Sequence, residues 1–113
     1  RCYIITPHQK RGFPARVDFH ASIGFLSGGD ARQKTGVRGG GPEAVVTNLG
    51  LLQPNQNGEL ILTAMHPGVE FDQVQENTGW ALKRSINCER TEPPSQEELR
   101  ILREDLDPQR IYI

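Results

Sequence analysis

The chain is short of most things that would announce a chemistry. Its two cysteines, Cys2 and Cys88, lie far apart without CxxC spacing. Neither a disulfide framework nor a thiolate metal site is expected, and free thiols in a reducing cytoplasm are. The formal net charge is −1 and the pI about 6.3, so nothing electrostatic argues for nucleic acid or an anionic membrane as a partner. No apolar run approaches the ~20 residues needed to span a bilayer. His8, His20 and His66 are scattered, with Asp18 and Glu70 as their only close acidic neighbours, too few ligands for a metal centre. A nucleophile elbow, G-x-S-x-G, is missing, as are the phosphate-cradling G-x-x-x-x-G-K-[ST] and a G-x-G-x-x-G opening a helix.

What the chain does have is turns. Glycine (12) and proline (8) are abundant in 113 residues, hydrophobic residues are 35% and charged residues 24%. This is one globular domain on the polar side, built more from strands and turns than from a helical bundle. The paired acids Glu97-Glu98 and Glu104-Asp105 read as a solvated helix face. Lys10, Arg11, Arg16, Arg32, Lys34 and Arg38 could flank a phosphate-bearing ligand, but solvated loops are the simpler reading.

Cys2 to Thr6 is β-branched and apolar up to Pro7 and predicts a buried strand. Ala15 to His20 alternates, with Val17 and Phe19 on one side, and predicts a half-buried strand that Ile23, Phe25 and Leu26 extend. Ser27 to Gly41 carries six glycines and predicts a long loop. Ala44 to Leu52 predicts the best strand. It turns at Asn57-Gly58 into a returning strand, Glu59 to Met65, with Leu60, Leu62 and Ala64 on one face. Phe71 to Asn77 predicts a short helix with Glu70 as a poor cap, Val69 stapled onto Val74 and Gly79 at its C′ position. Trp80 to Leu82 predicts a final short strand, leaving Cys88 in a loop. Ser95 and Glu98 form a capping box for a last helix, with Leu99, Leu102 and Leu106 as its apolar stripe and Arg100–Glu104 as an outer-face pair, stopped at Asp107-Pro108. Ile111-Tyr112-Ile113 is an apolar tag that needs something to pack on.

Several of these pieces occur in an order that carries information: His8-Gln9-Lys10-Arg11-x-Phe13, Val17-Asp18-Phe19, Gly24-Phe25-Leu26, Gly39-Gly40-Gly41-Pro42, Val45 to Gly50, His66-Pro67-Gly68-Val69, Val74 to Gly79 and Thr91 to Pro94. In that order the chain resembles the C-terminal half of the B (beta) subunits of class I coenzyme A transferases, closest to the glutaconate CoA-transferase type. The resemblance spans nearly the whole chain. It implies an α/β fold, an open mixed sheet with flanking helices, in which residues 1–113 are the C-terminal portion of a B-subunit domain. The family moves CoA between carboxylic acids, through attack of a B-subunit glutamate on the acyl-CoA and an enzyme glutamyl-CoA thioester.

The resemblance places that glutamate and its oxyanion site in the half that would precede Arg1. The chain opens at Arg1 within a strand-like segment, and further sequence before it is expected. No catalytic residue is therefore assigned here, and the chain alone should be inactive. The implied partners are an A-type subunit and the N-terminal part of the B-type subunit in a cytoplasmic hetero-oligomer. The acyl-CoA and carboxylic acid are substrates, with no permanently bound cofactor. For substrate contact, Ser22, Gly24 and Phe25 follow the expected strand at 15–20 and become the candidate pocket wall, because open α/β sheets bind ligands beyond strand carboxyl ends. Two rival functions stay open: an acyl-CoA hydrolase or decarboxylase on the same scaffold, and a non-catalytic module that only holds a partner chain.

Overall fold

The computed structural model describes residues 1–112. Five strands form one sheet in chain order: β1 (Cys2–Ile5), β2 (Pro42–Val46), β3 (Gly50–Pro54), β4 (Leu60–Met65) and β5 (Arg84–Arg90). β1 is parallel to β2 and β4 to β5, whereas β3 runs antiparallel to both neighbours. Four strands therefore share one direction and only β3 points back. The helices are α1 (Ala31–Lys34), α2 (Phe71–Glu76) and α3 (Gln96–Arg100), the last continuing into a wider, π-helical stretch, Ile101–Leu106. This is the open mixed sheet with flanking helices that the sequence leads one to expect.

The β3–β4 hairpin closes where Asn57-Gly58 predicts it. Asn55 N–H donates to the Glu59 carbonyl (2.8 Å), Gly58 N–H donates to the Asn55 carbonyl (2.9 Å), and Gly58 sits at φ 78°, where a side chain would be strained. Within the hairpin, Leu51 pairs Ala64 and Leu52 pairs Leu62, so Thr63 bulges and donates its hydroxyl to the Leu51 carbonyl at 3.2 Å. The bulge moves the inward position: Leu62 and Met65 are buried, and Ala64, expected beside Leu62, is only half-buried. Around them Phe13, Val45, Leu49, Leu52, Val69, Val74 and Leu82 complete one core, with Leu52, Leu62 and Val74 wholly buried. Each such side chain contributes about 2 kcal/mol of burial. Val69 and Val74 both lie in this core, as the staple predicts.

Several expectations fail, each for a local reason. The apolar run 44–52 is two strands, because the Thr47 hydroxyl captures the N–H groups of Leu49 and Gly50 (3.1 Å each) and bends the chain back. Residues 15–20 form no strand and join no ladder, and Val17 and Phe19 are exposed. Trp80 to Leu82 is irregular, and the ladder with β4 begins one step later, placing Cys88 in β5 rather than in a loop. Gly79 does not adopt the left-handed C′ conformation; it is small because a Cβ there would come within 2.4 Å of Ala15 N and 2.8 Å of Phe13 O. Ser27 to Gly41 is not all loop, for α1 interrupts it.

Two apolar elements are out in the open. β1 is exposed along its whole length, an edge strand with one neighbour instead of the buried strand its composition predicts. The α3 region starts on the expected capping box, Glu98 N–H to Ser95 Oγ (3.2 Å) and Ser95 N–H to Glu98 Oε2 (2.8 Å), yet buries none of its residues. It does not pack on the sheet as a second covering helix. Arg100 pairs with Glu104 at 3.6 Å as predicted, and also with Glu97 and Asp105. Of the terminal tag, Ile111 and Tyr112 are exposed, and Ile113 lies outside the described residues.

Candidate functional site

The shared direction of β1, β2, β4 and β5 brings their carboxyl ends to one end of the sheet, where the chain leaves each strand into a turn. Thr6 N–H still pairs with Val46 O (3.1 Å), and two residues on His8 enters the core. Thr47 follows β2, His66 follows β4 and Thr91 follows β5. The four side chains meet. His8 Nδ1 lies 3.2 Å from Thr47 Oγ1, and His8 Nε2 lies 2.9 Å from Thr78 Oγ1 just past α2. His66 Nε2 lies 2.8 Å from the Thr47 carbonyl, and His66 Nδ1 lies 2.7 Å from Thr91 Oγ1.

The partners assign the protons. A carbonyl only accepts, so His66 donates from Nε2 to the Thr47 carbonyl. Thr78 donates its own hydroxyl to Val74 O (2.8 Å), so it accepts from His8 Nε2–H. Thr47 Oγ1 already accepts two N–H groups and shares its proton between Gly50 O (3.0 Å) and His8 Nδ1. A proton on Nδ1 would be a third donor aimed at an oxygen with no lone pair to offer. His8 therefore belongs here as a neutral imidazole. Burial pushes its pKa below the usual value of 6.5. Phe13 stacks on its ring with centroids 4.1 Å apart, and Asn48 Oδ1 accepts from its backbone N–H at 2.7 Å.

Every ring nitrogen in this cluster is engaged, and these bonds clamp the 47–50 and 66–69 turns. Their exposed rims, Asn48 on one and Pro67-Gly68 on the other, are what this end of the sheet presents. The three threonines were missed in the sequence. The signal available was a threonine directly after two of the strands, Thr47 and Thr91, followed by turn residues, the composition of an ST-turn; Thr78, past α2, gave none. His20 is exposed and outside the cluster, and among the described residues no group of three or more His, Cys, Asp or Glu could hold a metal ion.

Ser22 and Gly24 lie elsewhere. They line a groove of about 550 Å³ with Cys2, Arg38, Gly40 and Pro42, at the amino ends of β1 and β2. The expectation that they follow a strand carboxyl end fails with the strand itself. Phe25 lines a neighbouring hollow of about 370 Å³, its ring covering Gly58 and Gly41, where a Cβ would stand 3.0 and 3.1 Å from it. Between the two, Arg32 ties the loops together: its guanidinium donates to Gly24 O (2.7 Å), Gly39 O (3.2 Å) and Arg38 O (3.4 Å). Of the basic residues considered for a phosphate, Lys34 pairs with Asp30 (3.0 Å) and Lys10, Arg11 and Arg16 are exposed away from the groove. Arg38 lines it without an ion-pair partner among the described residues.

Four acidic residues have structural partners. Glu43 pairs with Arg1, Glu59 with Lys83 and Glu70 with Arg90, which explains why Glu70 precedes α2 without capping it. Asp107 is buried, and its carboxylate accepts the N–H groups of Ile111 (2.8 Å) and Tyr112 (2.9 Å). No described helix is long and apolar enough to cross a membrane.

Comparison with known proteins places this geometry. No protein-family model matches the chain. It is 40% identical over 101 residues to the B-type subunit of 3-oxoadipate CoA-transferase of Pseudomonas knackmussii, covering 88% of the chain and 39% of that protein. The B-type subunit of glutaconate CoA-transferase of Acidaminococcus fermentans is 33% identical over 112 residues, covering 97% and 42%. The crystal structure of glutaconate CoA-transferase from the same organism superposes with a TM-score of 0.88 over 98% of this chain and 43% of that one. The cholesterol ring-cleaving hydrolase IpdB subunit of Rhodococcus jostii is 31% identical over 109 residues, covering 94% and 42%. The chain thus spans about two fifths of the length of the curated relatives it matches.

Proposed function

We propose, from the chain's homology to the B-type subunits of two-subunit CoA-transferases, that it is the C-terminal portion of such a subunit and works with an A-type subunit and the N-terminal part of its own B-type subunit. The assembly moves CoA between carboxylic acids through an enzyme glutamyl-CoA thioester, in the cytoplasm, with acyl-CoA as substrate and no permanent cofactor. The observation that carries this reading is the 40% identity over 88% of the chain, matched by a TM-score of 0.88 to a glutaconate CoA-transferase structure.

The nucleophile lies outside this chain. A glutamate that attacks a thioester needs a lining position in a cleft and freedom from strong cationic partners. Glu43, Glu59 and Glu70 are spent in surface ion pairs, and Asp107 anchors backbone. This portion instead holds the turns at the strand carboxyl ends through His8 and His66. It also contributes Ser22, Gly24 and Phe25 as a low wall against the substrate, the first two through their groove.

The test is reconstitution. The chain alone, given acyl-CoA and an acceptor acid, is expected to show no exchange. Combined with the missing N-terminal part and an A-type subunit it is expected to exchange CoA, and borohydride should trap an enzyme–CoA thioester. Turnover by the isolated chain would overturn the placement of the nucleophile. Release of free CoA without exchange in the reconstituted enzyme would favour the hydrolase reading, for which the IpdB subunit at 31% identity is the supporting relative.

A further inference from the structure

The groove at the amino ends of β1 and β2 carries charge of one sign. Arg1, Arg32 and Arg38 line it and no aspartate or glutamate does, in a chain whose net charge is −1. Glu43 lines the neighbouring hollow instead and pairs with Arg1 at 3.6 Å. The Arg32 guanidinium is taken up by the carbonyls of Gly24, Arg38 and Gly39. Arg38 is different: its side chain has neither an ion-pair nor a hydrogen-bond partner among the described residues.

The backbone beside Arg38 also offers donors. The N–H groups of Gly39 and Gly40 donate to no acceptor among the described residues, and nothing lies within 4 Å of where a Cβ would stand on either. A ligand can therefore approach this backbone closely. Arg32 fixes the segment in place through its bonds to Arg38 O and Gly39 O. Ser22 adds a hydroxyl to the same groove, and Ile4, Ile23 and Val37 give it an apolar side. A guanidinium fork, a hydroxyl and open backbone N–H groups suit a phosphoryl group, whose oxygens only accept.

We propose that this groove holds the phosphorylated nucleotide end of the CoA thioester, with Arg38 as its phosphate contact; the inference rests on the acyl-CoA reading given above. Its volume of about 550 Å³ is that of a small-molecule site, and its apolar side gives the base a face to lie on. Coenzyme A separates its phosphates from its thioester by the pantetheine arm. Its nucleotide end is thus free to sit on a portion of the enzyme that holds no nucleophile. The acceptor acid carries its charge on the reacting carboxylate itself, which belongs beside the nucleophile and not here.

Isothermal titration of the full chain tests this. Coenzyme A and its adenosine bisphosphate fragment should bind, while pantetheine, which has no phosphate, should not. Arg38→Gln should weaken both on the order of tenfold through loss of a charge-assisted contact, with Arg38→Lys in between. Arg38 is exposed and outside the core, so its replacement leaves the fold intact. Lys10→Gln makes the same charge change away from the groove and should leave binding as it was. In the reconstituted assembly Arg38→Gln should raise KM for acyl-CoA about tenfold and leave kcat unchanged, the mark of a contact shared by ground and transition states. No binding of the bisphosphate, inorganic phosphate or pantetheine binding as tightly as it does, or equal weakening by Lys10→Gln would overturn the proposal. A reconstituted assembly that exchanges no CoA counts against the transferase reading alone, because nucleotide binding by the chain needs no turnover and upholds the groove.

Discussion

The carboxyl end of the sheet and its apolar periphery are made of similar residues and end up in opposite states. At the carboxyl end, β-branched strands run into a hub of threonines and histidines in which every ring nitrogen and hydroxyl of the four central side chains has a partner. At the periphery, β1 and α3 show equally good local signals, a β-branched run and a capped amphipathic helix, but Ile5 and Leu106 stay more than two-thirds exposed. Apolar patterning tells which face wants covering. It does not say whether the cover is in the same chain.

Substitutions should widen or close that contrast. Leu62→Ala, at a wholly buried site beside Leu52, is expected to cost about 3 kcal/mol by chemical denaturation, the transfer term plus a cavity. Ile5→Ala at 84% exposure should shift the midpoint within error; an equal loss at both sites would erase the distinction between core and periphery. Thr47→Val keeps the hub's shape but strips Leu49 N–H, Gly50 N–H and His8 of their partner. Leaving buried groups unpaired should cost about 2 kcal/mol, and hydrogen exchange should quicken at Leu49 and Gly50 first.

Acid should act on the hub and not on the edge. The folded pKa of His8 lies below the unfolded value of 6.5, so the unfolded chain binds the proton more readily. The contribution is complete above that value and is lost as pH falls from 6.5 towards the lower folded pKa. A His8→Gln variant should show a shallower decline between pH 6.5 and 5, measured by thermal unfolding. Ser95→Ala has the smallest expected effect. It removes the capping box and should lower helical circular dichroism slightly without moving the main transition, because α3 adds nothing to the core.

Much of this architecture could be read locally. The Asn57-Gly58 hairpin and the Ser95–Glu98 cap each depend on residues within six positions of one another, and both formed, while Val69 and Val74 share the core as their staple spacing predicts. The failures were of two kinds. Residues 44–52 make two strands because the Thr47 hydroxyl takes backbone donors two and three residues on, a local turn hidden within an apolar run, whereas 15–20, despite its alternation, joins no ladder. The candidate wall Ser22–Phe25 was placed by assuming a strand before it; the structure sets those residues at the opposite end of the sheet from the histidine–threonine hub.

By itself the sequence settled the Asn57-Gly58 turn, the starts of α2 and α3, the class of fold and the family likeness, since these rest on propensities and spacings that neighbours along the chain share. The tertiary structure alone decided that His8 is held neutral, which glycine makes room for another segment and which apolar faces are left bare. Those outcomes depend on groups 39, 70 or more positions apart meeting within 3.2 Å, and on low-dielectric burial that no local window contains.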